Sequence, residues 1–159
     1  MKNKISFSAI RLVACDFDGV MTDNTVIVDE SGNESVVCSR SDGFGIELLK
    51  KKGIEIIVIS KERNEVVKAR CDKLKIPCIQ GSDDKLSILK AEMKKRNLAS
   101  EQVCFVGNDI NDLECMRHVI GIAPNDAHPE VKKAVKLITK CSGGHGVVRE
   151  VADMILTKG

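Results

Sequence analysis

The stretch "LVACDFDGVMTDN", residues 12–24, decides how the rest of the chain is interpreted. Its first part, residues 12–15, is an apolar run of the length and composition of a buried strand. Two carboxylates, Asp16 and Asp18, follow directly, with Gly19 behind them. Because alternate residues of an extended chain point to the same side, both carboxylates can face one crevice. Buried carboxylates without a partner cost free energy, and a hard cation such as Mg²⁺ removes that cost.

The remainder of the chain alternates short β-type runs with segments of helical spacing. Four further apolar runs read "IEIIVIS", "CIQG", "QVCFVGN" and "VIGIAP", and the segment that begins "DGFGIELLKK" has helical spacing and ends at Gly53. Apolar strands that alternate with helices indicate a parallel sheet with helices on both faces. We therefore predict an α/β fold: a doubly wound, Rossmann-like parallel sheet in one domain, residues 1–159. Such folds bind ligands beyond the carboxyl ends of their strands.

Further polar residues follow the other predicted strands. "IEIIVIS" ends in Ser60, the strand "CIQG" is followed by Lys85, and the strand "QVCFVGN" leads into Asn108 and Asp112. Taken singly, Ser60 also suits a helix N-cap and Lys85 a solvated surface position. Together with the first strand's carboxylates, they supply the nucleophile, acid, hydroxyl, cation and metal ligands that phosphoryl transfer requires.

Composition gives no reason to expect nucleic acid or a membrane as partner. The formal net charge is +2, from 25 basic and 23 acidic residues, and the chain has no Trp and no Tyr to stack on bases. Seven cysteines, an odd number without C-x-x-C spacing, do not indicate a zinc cage. No signal peptide or membrane span is visible, so the expected location is the cytoplasm.

At these residues the chain resembles the haloacid dehalogenase superfamily of aspartate-nucleophile phosphatases. "DFDGVMTD" resembles the first motif of that superfamily, Ser60 the second, Lys85 the third and "GNDINDLE" the fourth, in the same order. The resemblance implies that Asp16 attacks phosphorus and forms an aspartyl-phosphate. It implies that Asp18 protonates the leaving oxygen and then activates water, while Ser60 and Lys85 hold the phosphoryl group.

The resemblance also implies a Mg²⁺ site. Its ligands would be Asp16, Asp18 through its backbone carbonyl, Asn108 and Asp112. The superfamily usually has aspartate directly after the glycine of the fourth motif, and this chain has Asn108 there. An amide oxygen can ligate Mg²⁺ but brings no charge, so weaker metal binding is expected unless Asp112 or Asp109 compensates, directly or through water.

A small hairpin stands where most members of the superfamily carry a cap domain. "NTVIVDESGNESVVCS" predicts a β-hairpin flap over residues 24–39, with its turn at residues 30–33. Among the capless members with such a hairpin, the chain resembles two groups. They are the 3-deoxy-manno-octulosonate 8-phosphate phosphatases and the nonulosonate (sialic acid or KDN type) 9-phosphate phosphatases. Those enzymes are tetramers in which a neighbouring subunit covers the site, so the resemblance implies a homotetramer and a phosphorylated sugar acid as substrate.

The segment after Ser60 distinguishes these two groups. The octulosonate enzymes typically carry arginine two residues past this hydroxyl, where this chain has Glu62. Glu62, Arg70 and Lys73 resemble the set with which nonulosonate phosphatases reach the sugar acid across the subunit interface. A solvated face of an amphipathic helix is the alternative for Arg70 and Lys73. Asn111 in the fourth motif completes the expected substrate-binding set.

The expected function is therefore a Mg²⁺-dependent nonulosonate 9-phosphate phosphatase. One alternative is a 3-deoxy-manno-octulosonate 8-phosphate phosphatase. Another is a non-catalytic oligomerisation or regulatory domain, because the chain also resembles the C-terminal domain of some acylneuraminate cytidylyltransferases. Asp16, Asp18, Ser60 and Lys85 favour catalysis, whereas Asn108 favours the non-catalytic domain.

Overall fold

A six-stranded parallel sheet forms the centre of the fold in the computed structural model, which describes residues 5–158. The sheet strands are β1 (Leu12–Cys15), β4 (Glu55–Ser60), β5 (Cys78–Gln80), β6 (Val103–Val106), β7 (Ile120–Ala123) and β8 (Leu137–Ile138). Strands β2 (Ile27–Val28) and β3 (Glu34–Ser35) form a separate antiparallel hairpin. The helices are α1 (Arg40–Lys51), α2 (Glu65–Leu74), α3 (Lys85–Lys95), α4 (Leu113–His118), α5 (Pro129–Ala134) and α6 (Val147–Lys158). This architecture confirms the predicted α/β fold class and the hairpin flap.

The strand order is β5-β4-β1-β6-β7-β8, and every pairing in this sheet is parallel. The chain runs outward from β1 through β4 to β5, then crosses to β6 on the other side of β1. In register, Ala14 of β1 pairs with Ile57 of β4 and with Phe105 of β6. Direction reverses at β1, and a crevice opens at such a reversal beyond the carboxyl ends of the strands. This topology places the ends of β1 and β6 side by side.

Two apolar cores cover the two faces of the sheet. Successive residues of β4 alternate between them: Ile56 and Val58 pack with α1, α2 and α6, whereas Ile57 and Ile59 pack with α3, α4 and α5. All four side chains are buried. A strand that is apolar on both faces must be covered on both, which is why these runs show no polar alternation in the sequence.

Side-chain caps set where the helices begin. The hydroxyl of Ser39 accepts from the N–H of Ser41, so α1 starts earlier than the apolar spacing indicates. The side chain of Asn64 caps α2 in the same way, by accepting from Val66. Strand β8 and helix α5 were not predicted, and β8, with two residues, is too short for a periodic signal. Among the helices of residues 5–158, none combines the length and apolar character needed to cross a bilayer.

The flap turns on the carboxylate of Asp29, which accepts from the N–H groups of Ser31 and Asn33 at 2.9 Å each. Gly32 supplies the positive φ of this turn, +81°. The flap is also tied to the main body, because the amide of Asn64 donates to the carboxylate of Glu34. One residue therefore caps α2 and holds the flap beside the carboxyl end of the sheet.

A buried carboxylate joins the first and last helices. Asp42, in the first turn of α1, is fully buried, and its Oδ1 accepts from the N–H of Arg149 in α6 at 3.0 Å. Its Oδ2 has no hydrogen-bond partner among the described residues. Burial raises the pKa of this carboxyl to about 6, against the hydrogen bonds from α6 and the charge of Arg70. Ionised Asp42 is therefore costly to keep in the folded protein.

We predict that Asp42→Asn makes the protein's stability less dependent on pH. The folded carboxyl has a raised pKa, so folded protein binds more protons than unfolded protein between about pH 4 and pH 6, and stability falls as pH rises through that window. The cost of ionisation is at most about 3 kcal/mol. Urea unfolding measures the free energy of unfolding at pH 4 and pH 7. The difference between Asp42→Asn and wild type should shift in favour of the variant at pH 7. Parallel pH profiles would contradict the prediction, and Asp72→Asn on the exposed face of α2 is the control.

Candidate active site

The loop after β1 holds the first carboxylate in a fixed position. The N–H of Asp16 donates to the carbonyl of Val106 at 2.9 Å, and its Oδ1 accepts from the N–H of Phe17 at 2.8 Å. The Phe17 ring is buried in the core, which anchors the loop between the two carboxylates. Gly19 then turns the chain at φ +79°, and a Cβ there would lie 2.0 Å from Nδ2 of Asn108. Only glycine allows the first and fourth motifs to approach this closely.

Lys85 bridges two buried carboxylates. Its Nζ lies 3.0 Å from Oδ1 of Asp16 and 2.8 Å from Oδ1 of Asp112, and the lysine is 2% exposed. Burial would lower the pKa of Lys85, but the two carboxylates outweigh burial and raise it above its ordinary value. Burial, with repulsion from Asp112, raises the pKa of Asp16 against the opposing effect of Lys85. The lysine is therefore a charged group that keeps two like charges together.

Asp112 organises the loop after β6. Its Oδ2 accepts from the N–H groups of Asn108 at 3.0 Å and Asp109 at 3.3 Å, while its Oδ1 accepts from Lys85. A Cβ at Gly107 would lie 2.5 Å from the Cβ of Asp112, so the loop closes tightly over this side chain. Protein donors thus contact both oxygens of Asp112. Its role as a Mg²⁺ ligand stays a prediction.

Asn108 carries a buried oxygen whose hydrogen-bonding capacity is unused. Its Oδ1 has no hydrogen-bond partner within residues 5–158, although its backbone carbonyl accepts from the N–H of His128 at 2.8 Å. An unpaired buried amide oxygen is costly unless something else binds it. Asn108 lines the same cavity as Asp16, and carboxylate and amide oxygens are ligands that Mg²⁺ prefers. The described residues contain no cluster of three or more His, Cys, Asp or Glu that could hold a metal. Asp16 and the Asn108 amide oxygen are therefore candidate ligands of different chemical types at this place.

Asp18 and Ser60 lie on the open side of this arrangement. Asp18 is partly buried, and burial together with the carboxylates of Glu62 and Glu34 raises its pKa. A raised pKa favours the protonated form that a proton donor needs. Ser60, at the end of β4, is 1% exposed and still lines the cavity. An acid and a hydroxyl therefore face the space beside Asp16.

The cavity has a volume of about 800 Å³ and brings together most of the predicted site residues. Six of them line it: Asp16, Asp18, Ser60, Glu62, Asn108 and Asn111. Lys85 and Asp112 lie behind Asp16 and contact it directly or through one another. The flap contributes Asn33 and Glu34, among other residues, to the outer wall.

The remaining two predicted residues, Arg70 and Lys73, do not line the cavity of their own chain. Arg70 donates through Nη2 to the carbonyl of Ser39 at 3.2 Å, and its Nε is buried without a hydrogen-bond partner among the described residues. Lys73 is exposed near the end of α2. Helix α2 leads away from the carboxyl end of the sheet, so the fold does not bring these two residues to the cavity, and their role in substrate binding stays a prediction.

Sequence reasoning missed Arg63, which also lines the cavity. The periodicity of "ERNEVVKARCDKLK" suggested that Arg63 belongs to the charged face of a helix. In the structure α2 begins two residues later, and Arg63 lies in the short loop between Ser60 and the cap residue Asn64. A helix-start signal at Asn64 could have placed it in that loop.

Comparison with known proteins gives consistent matches over nearly the whole chain. A sequence model of haloacid dehalogenase-like hydrolases matches residues 75–151. The 3-deoxy-D-manno-octulosonate 8-phosphate phosphatase of Yersinia pestis is 35% identical over 149 residues, which are 92% of this chain and 80% of that protein.

Two solved structures extend the comparison to the fold. The same phosphatase from Moraxella catarrhalis, in complex with magnesium, phosphate and KDO, is 32% identical with a TM-score of 0.93, covering 99% of this chain and 93% of that one. A hydrolase from Streptomyces avermitilis is 42% identical with a TM-score of 0.92, covering 95% and 87% of the two chains. The similarity therefore includes the sheet as well as the motifs.

We predict that Lys85→Met destabilises the fold by about 3 kcal/mol, because two buried carboxylates would then face each other without a cation. Urea unfolding measures the loss. Lys133→Met is the matched control: Lys133 contacts Glu130 at 2.7 Å on an exposed helix face, where an ion pair contributes at most about 1 kcal/mol. Adding Asp112→Asn to Lys85→Met should recover part of the loss. Equal stability of Lys85→Met and wild type would contradict this interpretation.

Proposed function

Because this chain belongs to the haloacid dehalogenase-like hydrolases, we propose that it is a phosphatase for a phosphorylated sugar acid. As a phosphoric monoester hydrolase it needs a nucleophile, a proton donor and cations close to one phosphate. The observation that carries the proposal is the buried Asp16 carboxylate, held by Lys85 where the strand order reverses. Asp18, Ser60 and Asn108 line the cavity around it.

The proposed reaction has two steps. The Phe17 N–H and Lys85 Nζ both contact Oδ1 of Asp16, which leaves Oδ2 to attack phosphorus. The bond between phosphorus and the sugar oxygen breaks, and that oxygen takes the proton of Asp18. Asp18, now a carboxylate, then removes a proton from water, and the water oxygen attacks phosphorus and releases Asp16 and inorganic phosphate.

Two further side chains stabilise the charge on the phosphoryl group. The ammonium of Lys85 is fixed beside Asp16 and neutralises its charge. When phosphate binds, the same ammonium also stabilises the negative charge on the phosphoryl oxygens. Ser60 lies at the end of the neighbouring strand, and its hydroxyl donates to a phosphoryl oxygen. Since both groups are almost fully buried, their positions do not have to reorganise during the reaction.

The oxygen donors of the cavity fit Mg²⁺, which haloacid dehalogenase phosphatases use. Asp16, the Asn108 amide oxygen and the Asp18 carbonyl would hold it. The ion would offset the charge between phosphate and nucleophile. Because Asn108 contributes no charge, we expect a higher Mg²⁺ requirement than an aspartate at this position would give.

We propose 3-deoxy-D-manno-octulosonate 8-phosphate as the first substrate to test, since curated relatives over most of the chain are phosphatases of this compound. This order reverses the sequence-based expectation. A nonulosonate 9-phosphate is the second candidate, and the presence of Glu62 in the cavity favours it. The complete catalytic set around Asp16 argues against the third possibility, a non-catalytic domain of a cytidylyltransferase.

A panel of phosphate esters tests the proposed function. With Mg²⁺ present, kcat/KM for one of the two sugar-acid phosphates should exceed that for phosphoserine and adenosine monophosphate by at least about 100-fold, because binding of the remote sugar acid contributes to transition-state stabilisation. Chelation of Mg²⁺ should abolish turnover, and folded Asp16→Asn should release no phosphate. Folded wild-type protein that hydrolyses neither sugar-acid phosphate would refute the proposal.

We also propose a homotetramer in which a neighbour closes each cavity. The flap exposes apolar side chains, among them Ile27 at 67%, Val28 at 58% and Val37 at 69%. Contiguous exposed apolar residues of this kind favour association with another surface. Closed symmetry would allow Lys73 of a neighbour to reach the sugar acid.

Subunit mixing tests this arrangement. Light scattering should give the mass of a tetramer. Asp16→Asn alone and Lys73→Ala alone should each turn over the sugar-acid phosphate poorly. Hybrid tetramers of the two should recover activity, because some sites combine an intact Asp16 with a neighbour's intact Lys73. A monomer, or no recovery in tetramers shown to be mixed, would contradict the shared site.

A further inference from the structure

The walls of the cavity are rich in negative charge. Six carboxylate side chains line it: Asp16, Asp18, Glu34, Glu62, Glu65 and Asp109. Carboxylates and the neighbouring amides suit the hydroxyl groups of a sugar, which donate hydrogen bonds to them. The carboxylates of the wall, however, repel any anionic group that the substrate carries in addition to its phosphate. A phosphorylated sugar acid therefore needs a cation in the outer part of the cavity, away from the phosphate.

Two basic residues, Lys61 and Arg63, line the cavity among the described residues, and Lys61 is already paired. Lys61 lies 3.0 Å from the carboxylate of Asp83. Lys85, deeper in the site, is occupied by Asp16 and Asp112. Arg63 makes neither an ion pair nor a hydrogen bond within residues 5–158, so its guanidinium donors are available to a ligand.

Arg63 is an exposed residue on a loop whose backbone is fixed. Its side chain lies across Gly81, where a Cβ would be 2.1 Å from Nε and 2.6 Å from Cγ of the arginine. The loop that carries it is fixed at both ends: the N–H of Gly81 donates to the Ser60 carbonyl at 3.1 Å, and Nε2 of Gln80 donates to the Asn64 carbonyl at 3.0 Å. The fixed loop thus sets the position of the Arg63 backbone, while its exposed guanidinium stays accessible to a ligand.

We propose that Arg63 binds the carboxylate of the substrate and makes the enzyme selective for sugar acids; this inference rests on the proposed function. A planar guanidinium forms two parallel hydrogen bonds to a carboxylate, a match that neutral or ammonium groups do not provide. In an eight- or nine-carbon sugar acid the carboxylate is separated from the terminal phosphate by most of the carbon chain. Arg63, three residues beyond Ser60, lies in the cavity but outside the cluster around Asp16.

A matched pair of substrates tests this role. We would compare kcat/KM for 3-deoxy-D-manno-octulosonate 8-phosphate, or the nonulosonate 9-phosphate if that is the better substrate, with its C1 carboxamide analogue. Wild type should prefer the acid. Arg63→Gln should lower the acid-to-amide ratio by about 10- to 100-fold, mainly through KM, since a hydrogen bond to a charged group is worth about 1.5–3 kcal/mol. Arg63→Lys should give an intermediate ratio, because lysine keeps the positive charge but lacks the two parallel N–H donors of the guanidinium.

Lys61→Gln is the matched control, since it removes a positive charge from the same wall and should leave the acid-to-amide ratio within about twofold. An unchanged ratio in folded Arg63→Gln would overturn the proposal, as would an equal loss in Lys61→Gln. If wild type hydrolyses neither compound, the proposed function fails. The role of Arg63 is then tested by inhibition of p-nitrophenyl phosphate hydrolysis, with the free sugar acid and its amide as inhibitors. Stronger inhibition of wild type by the acid than by the amide, lost in Arg63→Gln, supports the role. Equal inhibition of wild type by the two compounds overturns it.

Discussion

The pairing of Lys85 with Asp16 and Asp112 is the interaction on which the site depends. Two carboxylates this close are unfavourable away from water, and a buried ammonium 2.8–3.0 Å from both removes the repulsion. The same contact joins three parts of the chain: the end of β1, the start of α3 and the loop after β6. The position of Asp16, the proposed nucleophile, is thus set by charge balance as well as by the backbone.

The sheet topology makes that pairing possible. Strand order reverses at β1, so the carboxyl ends of β1 and β6 are neighbours, and their loops meet where Gly19 contacts Asn108. The absence of a Cβ at Gly19 allows this approach. Asn108, whose Oδ1 is buried without a hydrogen-bond partner among the described residues, lines the same cavity as Asp16. The connection of the strands thus brings the oxygen-bearing side chains of the first and fourth motifs to one place.

The sheet, the flap and the polar residues at the strand ends could be predicted because their signals are local. Apolar runs identify strands, and the residue after each run marks a strand end, so Asp16 and Ser60 were found. The other contacts join side chains across the fold. Asp42 and Arg149 are 107 positions apart, and the packing of Arg63 on Gly81 depends on β5 lying beside β4. Periodicity carries no information about such contacts.

The central claim, that Asp16 is the covalent nucleophile, can be tested directly by trapping the intermediate. During turnover of the preferred sugar-acid phosphate, rapid quenching with borohydride should reduce an aspartyl-phosphate to homoserine, which peptide mass spectrometry can locate. The account predicts homoserine at position 16 and at no other aspartate, in an amount that rises with substrate saturation. Homoserine at another aspartate, or none during verified turnover with an acyl-phosphate control reduced in parallel, would contradict it.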